Sequence, residues 1–123
     1  MNHNTIKKSF FNHGFVVVKN VLSKKQIDEI FIDLEEIKKL VLKKSKQYYH
    51  LSSNGKFNSI HNINSFRKRG SIIKICKNSK ITKIVEKIFK EKVVMRNIEF
   101  FLKPKKKGFK APFHQDKFYW NIK

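Results

Sequence analysis

The start of the chain alternates short apolar runs with glycine and serine, which predicts a helix, a strand and a second helix in that order. Thr5–His13 predicts a short helix, because Gly14 follows it as a C-terminal cap. Phe15–Val18 is apolar and rich in β-branched residues, and it predicts a strand. Ser23 and Gln26 have the spacing of a capping box, so a second helix should begin there.

This second helix should carry an apolar stripe and a charged face. Apolar residues recur three and four positions apart along it, which predicts that they are buried: Ile27, Ile30, Phe31, Leu34, Ile37 and Val41. Acidic residues precede basic residues in the same segment, an order that suits the helix dipole. We therefore expect the acidic side chains to lie on a solvated face: Asp28, Glu29, Asp33, Glu35 and Glu36.

The periodic pattern is lost between Ser45 and Ser65, where Ser, Asn and Gly55 predict a long loop. Its aromatic and imidazole side chains either line a pocket or lie on the surface: Tyr48, Tyr49, His50 and His61. Two shorter helices are predicted after the loop, at about 66–76 and 79–90. The second has an apolar stripe formed by Ile81, Ile84, Val85 and Ile88.

The last third of the chain predicts two strands around a turn. Val93–Leu102 is long and apolar enough to cross a sheet. Lys105–Lys110 contains a glycine and predicts the turn. Pro112–Tyr119 predicts the final strand. With the strand near the N-terminus, about three strands are expected in all.

His114 and Asp116 are candidate metal ligands on this last strand. Residues i and i+2 of a strand project from the same face, so the imidazole and the carboxylate can converge on one ion while Gln115 points away. One imidazole, one carboxylate and open positions suit non-heme Fe(II). The spacing alone is a weak signal, because a surface strand with two solvated polar groups gives the same pattern.

Composition sets limits on the class of protein. The chain has 123 residues, enough for one small domain or part of a larger one. Its hydrophobic fraction of 40%, with twelve Phe, makes a buried core feasible and wholesale disorder unexpected. Cys76 is the single cysteine, which excludes an internal disulfide framework and fits a reducing cytoplasm. A small buried hydrophobe is its expected role. No apolar run has the length of a membrane span.

The formal net charge of +20 would ordinarily point to nucleic acid or an anionic membrane surface. Only three of the 29 basic residues are arginines, however, and the lysines are spread along the whole chain. Arginine is the preferred fork for phosphates and base edges, so its scarcity weakens the nucleic-acid interpretation. We interpret the charge as compositional bias, and we expect no specific nucleic acid and no membrane as partners.

Three segments together resemble the phytanoyl-CoA dioxygenase family of Fe(II)/2-oxoglutarate oxygenases. Asn12–Ser23 resembles the family's opening, with a Gly, a short apolar strand and a Leu-Ser helix start. Val93–Pro104 resembles its strand ending in Lys-Pro. A loop with glycine and then Pro-x-His-Gln-Asp with an aromatic cluster follow, within Ala111–Trp120. The spacing from Lys-Pro to His-x-Asp is the most specific element of the resemblance.

The resemblance implies an α+β fold, in which N-terminal helices precede the first strands of a double-stranded β-helix, or jelly-roll, barrel. About three strands cannot close such a barrel, so we expect a single, partial dioxygenase domain over residues 1–123. Its helical and strand region would span 1–91, and the start of the jelly roll with the metal motif would span 92–123.

The resemblance also implies roles for individual residues, with Fe(II), 2-oxoglutarate and O2 as cofactor and co-substrates. His114 and Asp116 would ligate the iron, and the presence of Asp116 favours hydroxylation over halogenation. Lys103 would contact 2-oxoglutarate, although an ordinary lysine at a strand end is the alternative. Asn97, an even number of residues before Lys103, is a candidate substrate contact. Trp120 would line the substrate pocket or cap the core.

The family's second histidine ligand and its 2-oxoglutarate-binding arginine follow the His-x-Asp motif, and these 123 residues contain neither of them there. The first hypothesis is therefore an N-terminal portion of a dioxygenase that acts on a small molecule and is inactive alone. The second is a half-barrel subunit that a partner chain completes. The third is a non-catalytic basic binding module.

Overall fold

The structure is a computed structural model that describes residues 3–77 and 80–116. Five α-helices lie in the described residues: α1 (His3–His13), α2 (Lys24–Val41), α3 (Ile63–Phe66), α4 (Ser71–Lys77) and α5 (Lys80–Phe89). A 3-10 helix spans Lys46–Tyr48. Three strands form one sheet: β1 (Tyr49–Leu51), β2 (Phe57–Ile60) and β3 (Phe100–Phe101). The predicted α+β class is confirmed, while the described strands do not by themselves close a barrel.

Helix α1 ends at His13, directly before Gly14, as predicted. The Gly14 N–H donates to the Phe10 carbonyl at 2.8 Å, and Gly14 has a φ of 77°. The strand predicted at Phe15–Val18 is wrong, because that segment forms no strand in the described structure. Phe15 and Val17 remain 65% and 64% exposed. An apolar run becomes a strand only where a neighbouring strand takes up its backbone hydrogen bonds.

The capping box at the start of α2 is confirmed. The Gln26 N–H donates to Ser23 Oγ at 3.2 Å, and the Ser23 N–H donates to Gln26 Oε1 at 2.9 Å. The predicted buried stripe is confirmed for Leu34, Ile37 and Val41. It is wrong for two of its members, Ile27 and Phe31, which are 41% and 62% exposed.

Asp33 was predicted on the solvated face of α2, and this prediction is wrong, since the residue is only 4% exposed. Its carboxylate accepts hydrogen bonds from the Arg67 guanidinium and from the Ile72 N–H, the latter at 3.0 Å. The same guanidinium reaches exposed Glu36 at 2.7 Å. A Cβ on Gly70 would lie 2.5 Å from an Asp33 oxygen. Asp33 therefore joins α2 to the start of α4, where only glycine fits.

The loop predicted between Ser45 and Ser65 is wrong, because this stretch folds into the β1–β2 hairpin. The strands are antiparallel, with His50 opposite Ser59. Their turn is closed by Ser52, whose N–H and Oγ–H both donate to the Lys56 carbonyl at 2.8 Å. The prediction failed because β2 mixes apolar and polar residues. In addition, one of the two strands that pair with it, β3, comes from a distant part of the chain.

The long strand predicted at Val93–Leu102 is confirmed only at Phe100–Phe101. The preceding backbone bonds instead to the start of α3. The Ile63 N–H donates to the Ile98 carbonyl at 3.0 Å, and the Ile98 N–H donates to Asn64 Oδ1 at 2.9 Å. These groups are therefore not available to a neighbouring strand.

The core lies between α2, the sheet and the helices α3 and α4, and isoleucine dominates it. Its buried members are Leu34, Ile37, Val41, Ile60, Ile63, Ile72, Ile73 and Ile98. Tyr48 and Tyr49 pack against this cluster. Helical structure at 80–89 confirms the last predicted helix over its described part. None of the described helices combines the length and apolar character needed to cross a bilayer.

Candidate functional site

The His114 and Asp116 side chains lie next to each other. His114 Nε2 is 3.3 Å from Asp116 Oδ1. On the other side of the ring, the Nδ1–H donates to the Pro112 carbonyl at 2.8 Å. Because a carbonyl oxygen only accepts, Nδ1 carries a proton, and Nε2 faces the carboxylate. A proton on Nε2 or a metal ion can occupy the position between this nitrogen and the carboxylate oxygen.

A strand does not produce this arrangement. The strand predicted at Pro112–Tyr119 is wrong for its described part, since residues 112–116 form none, and 117–119 lie outside the described residues. The two side chains converge through a local bend in which His114 bonds back to Pro112. Both side chains are solvent-accessible, at 40% for His114 and 81% for Asp116.

A tight turn leads into this segment, and the turn predicted at Lys105–Lys110 is confirmed. The Gly108 and Lys107 N–H groups both donate to the Pro104 carbonyl, at 2.8 and 3.1 Å. Lys103, which precedes the proline, has a φ of 38°. A Cβ on Gly108 would lie 3.0 Å from the Lys103 Cα, so the turn brings its two ends into contact.

Asn58 of β2 attaches the same turn to the sheet. Its side-chain Oδ1 accepts a hydrogen bond from the Phe109 N–H at 2.8 Å. Its backbone carbonyl accepts bonds from the Leu102 and Lys103 N–H groups, at 2.8 and 3.2 Å. Asn58 is only 7% exposed, so these bonds are shielded from water. The segment that carries His114 is thereby held beside β2.

His114 and Asp116 line a cavity of about 540 Å³ between this segment and the sheet. The opposite wall carries Phe101 of β3 and four polar side chains of the hairpin and of the residue before β3: His50, Ser59, His61 and Glu99. Lys103 and Lys110 also line the cavity. Another cavity, of about 490 Å³, lies at the start of α2, and neither imidazole nor carboxylate lines it.

The sequence-predicted residues are distributed unevenly around this cavity. His50 and His61, proposed as pocket lining, do line it, as does Lys103. Asn97 does not line the cavity itself, but its Nδ2 donates a hydrogen bond at 2.8 Å to Oε1 of Glu99, which does. Trp120 lies outside the described residues.

Sequence reasoning missed Ser59 and Glu99. Glu99 Oε2 lies 3.2 Å from His61 Nδ1, and Ser59 Oγ lies 2.8 Å from His61 Nε2. One signal could have found the serine: Ser59 and His61 have the same i, i+2 spacing as His114 and Asp116. Glu99 becomes a neighbour only through the pairing of β2 with β3, which no local pattern encodes.

Comparison with known proteins indicates the family to which this chain belongs. The model of one family, Phytanoyl-CoA dioxygenase (PhyH), matches residues 10–123, most of the chain. The chain belongs to the phytanoyl-CoA dioxygenase family. No curated protein matches it. No solved structure matches it either. The resemblance noted in the sequence is thus confirmed at the level of the family.

Phytanoyl-CoA dioxygenase family members are oxygenases that generally depend on Fe(II) and 2-oxoglutarate and act on small molecules. The donor atoms at His114 and Asp116 fit such an ion. Two ligands at right angles and ~2.1 Å from one metal would be about 3.0 Å apart, and the structure has 3.3 Å. Among the described residues, no group of three His, Cys, Asp or Glu side chains is arranged to hold a metal. His114 and Asp116 therefore fit two of the ligand positions around such an ion.

Proposed function

We propose that this chain forms the metal-bearing part of an Fe(II)/2-oxoglutarate-dependent dioxygenase that hydroxylates a small molecule. One observation carries the proposal: His114 Nε2 and Asp116 Oδ1 lie 3.3 Å apart on the wall of a cavity. The hydrogen bond from His114 Nδ1 to Pro112 supports it, because it fixes the tautomer that presents Nε2 to a metal. Bound iron would supply the redox chemistry that couples 2-oxoglutarate and O2 to hydroxylation.

The other proposed roles rest on the family resemblance and, for Lys103, also on its position at the cavity. Lys103 lines it and would pair its ammonium with a carboxylate of 2-oxoglutarate. Asn97 would contact the substrate next to Glu99, to which it donates a hydrogen bond. Trp120 is proposed as a further substrate contact on its place four residues after Asp116. We also propose a reducing compartment such as the cytoplasm, on the basis of the single, free Cys76.

We further propose that these 123 residues alone do not turn over substrate. The proposed ligands His114 and Asp116 supply two positions, and no third His, Cys, Asp or Glu side chain of the described residues is arranged with them to hold a metal. Exposed aromatic side chains lie beside the cavity: Phe101 is 67% exposed and Phe109 is 50% exposed. Their exposure supports a covering segment, either a continuation of the domain or a partner chain that supplies the other half of the barrel. The adjoining coding DNA distinguishes the two, because a continuation is encoded in the same locus and a partner by a separate gene.

The test is anaerobic Fe(II) binding to the 123-residue chain, followed by conversion of 2-oxoglutarate to succinate in air. We expect weak Fe(II) binding that is reduced in His114→Gln and in Asp116→Asn, and no succinate above the background without protein. His13→Gln is the matched control, because His13 is an exposed histidine on α1. Unchanged Fe(II) binding in both site variants would contradict the metal assignment. Rapid succinate formation by the pure chain would contradict the proposed inactivity.

A further inference from the structure

The polar wall that faces His114 and Asp116 contains three donor atoms in a small triangle. His50 Nδ1 is 3.2 Å from Ser59 Oγ, and Ser59 Oγ is 2.8 Å from His61 Nε2. The third side joins the two imidazoles, with His61 Nε2 3.4 Å from His50 Nδ1. The sheet creates this triangle, because His50 and Ser59 are opposite each other across β1 and β2. His61 follows Ser59 by two residues, which returns its side chain to the same face.

Glu99 fixes the orientation of the His61 ring. Its Oε2 lies 3.2 Å from His61 Nδ1, and its Oε1 accepts a hydrogen bond from Asn97 at 2.8 Å. A carboxylate oxygen accepts, so Nδ1 carries a proton and Nε2 is directed at the triangle. A histidine whose outer nitrogen donates to a carboxylate is the usual arrangement of a metal-ligating imidazole.

The dimensions of the triangle suit a metal. Ligand atoms placed tetrahedrally at ~2.05 Å around a zinc ion are about 3.3 Å apart. The two imidazole nitrogens are 3.4 Å apart. We propose that His50 Nδ1 and His61 Nε2 bind a divalent transition-metal ion of the Zn²⁺ type, with Ser59 Oγ beside the ion and Glu99 holding His61. Water or a polar ligand in the cavity completes the coordination.

Without metal, the same atoms form a hydrogen-bonded chain in which His50 donates to Ser59, Ser59 to His61 and His61 to Glu99. Metal binding then moves the His50 proton from Nδ1 to Nε2. This rearrangement costs little because His50 is exposed, so the relocated Nε2–H can donate a hydrogen bond to water.

A hydrolytic triad is the competing interpretation, because Ser59, His61 and Glu99 have the connectivity of a nucleophile, a base and an orienting carboxylate. Ser59 argues against it, since it is only 2% exposed and its hydroxyl is held between two imidazole nitrogens. The proposed site uses different side chains from the iron site. No group of three His, Cys, Asp or Glu side chains in the described residues combines His50 or His61 with His114 and Asp116.

Calorimetric titration with Zn²⁺ alone tests the proposal, in a double variant His114→Gln/Asp116→Asn that removes the candidate iron ligands. We expect this reference protein to bind one equivalent of Zn²⁺. Adding His50→Gln or His61→Gln should weaken binding by about tenfold or more. Adding Glu99→Gln should weaken it by roughly 10–100-fold, the range seen when the outer partner of a ligand is lost. His13→Gln should leave it within twofold.

Two results would overturn the proposal: no binding of Zn²⁺ by the reference protein up to about millimolar concentration, or unchanged affinity when His50 is replaced. If the wild type binds Zn²⁺ and the reference protein does not, one composite site exists instead of two. His50 is exposed, so its replacement should leave the circular dichroism spectrum unchanged. The visible spectrum of bound Co²⁺ provides a second readout that reports nitrogen ligation directly.

Discussion

Asn58 Oδ1 accepts a hydrogen bond from the Phe109 N–H at 2.8 Å, across 51 residues of sequence. This bond connects the second strand of the sheet to the turn that precedes His114 and Asp116. The Asn58 carbonyl binds the other end of the same turn, at Leu102. The position of the candidate iron ligands therefore depends on one buried amide that is not itself a ligand.

Replacing Asn58 by Ala should release this turn. The Phe109 N–H would lose its acceptor, which we expect to cost about 1–3 kcal/mol of unfolding free energy. Trypsin should also cut faster within Lys105–Lys107, because the turn would be less firmly held. Urea denaturation and timed proteolysis measure the two effects. Asn58→Asp is the matched control, since it keeps an acceptor oxygen. Equal stability and equal cleavage in Asn58→Ala and wild type would show that the bond does not hold the turn.

Local signals predicted α1 and α2 well, whereas the helix predicted at about 66–76 begins only at Ser71. Gly14 and the Ser23–Gln26 pair mark helix ends through contacts within four residues, and both behave as expected. The strands could not be predicted in the same way. Phe15–Val18 has strand-like residues but no partner strand in the described part of the chain, whereas β2 contains Asn58 and Ser59 and is central in the sheet. Pairing over a distance decides which segment becomes a strand.

The candidate site, like the fold, could be predicted from local signals but not where it depends on strand pairing. His114 and Asp116 were chosen as candidates from their spacing and from the family resemblance, although the described residues 112–116 form no strand. The facing wall could not be derived, because Ser59 and Glu99 meet His61 only after β2 and β3 have paired. Asp33 was misplaced for the same reason: its partner Arg67 is 34 residues away.

Asp33→Ala should strongly destabilise the fold. It leaves the Arg67 guanidinium without its buried partner and the Ile72 N–H without its acceptor. We expect a loss of about 3 kcal/mol, at the low end for a broken buried pair, because the Arg67 side chain is 19% exposed. Glu36→Ala is the control, since that carboxylate binds the same guanidinium but is 59% exposed. Its loss should be below about 1 kcal/mol.

Urea denaturation measures the unfolding free energies of Asp33→Ala and Glu36→Ala. Similar losses for Asp33→Ala and Glu36→Ala would contradict the assignment of the energetic role to the buried carboxylate.

Cys76 should react slowly with alkylating reagents in the folded protein. Burial raises the pKa of its thiol above the ordinary value of 9.0, which lowers the thiolate fraction at any given pH. The pKa of this thiol is higher in the folded than in the unfolded chain. Its contribution to stability is therefore present at neutral pH and is lost as the pH rises through the folded-state pKa. Iodoacetamide labelling followed by mass spectrometry should be slower for the native than for the urea-unfolded chain. Equal rates at pH 8 would refute the prediction.

Lys103→Met should weaken 2-oxoglutarate binding while leaving the fold intact. The substitution keeps an apolar stem and removes the ammonium that lines the cavity with His114 and Asp116. Loss of one charged hydrogen bond is worth about 1.5–3 kcal/mol, so the affinity should fall roughly tenfold or more. Titration of 2-oxoglutarate in the presence of Mn²⁺, a redox-stable substitute for Fe(II), measures it.

Lys105→Met is the matched control for this experiment, because Lys105 faces a different cavity beside Lys38 and Asn54. Both variants lower the net charge of +20 by one, so any general attraction of the dianionic ligand to the basic chain changes equally in the two. A specific contact predicts a large loss for Lys103→Met and almost none for Lys105→Met. Equal losses would mean that Lys103 acts only through net charge, and an unchanged affinity in Lys103→Met would remove it from the 2-oxoglutarate site.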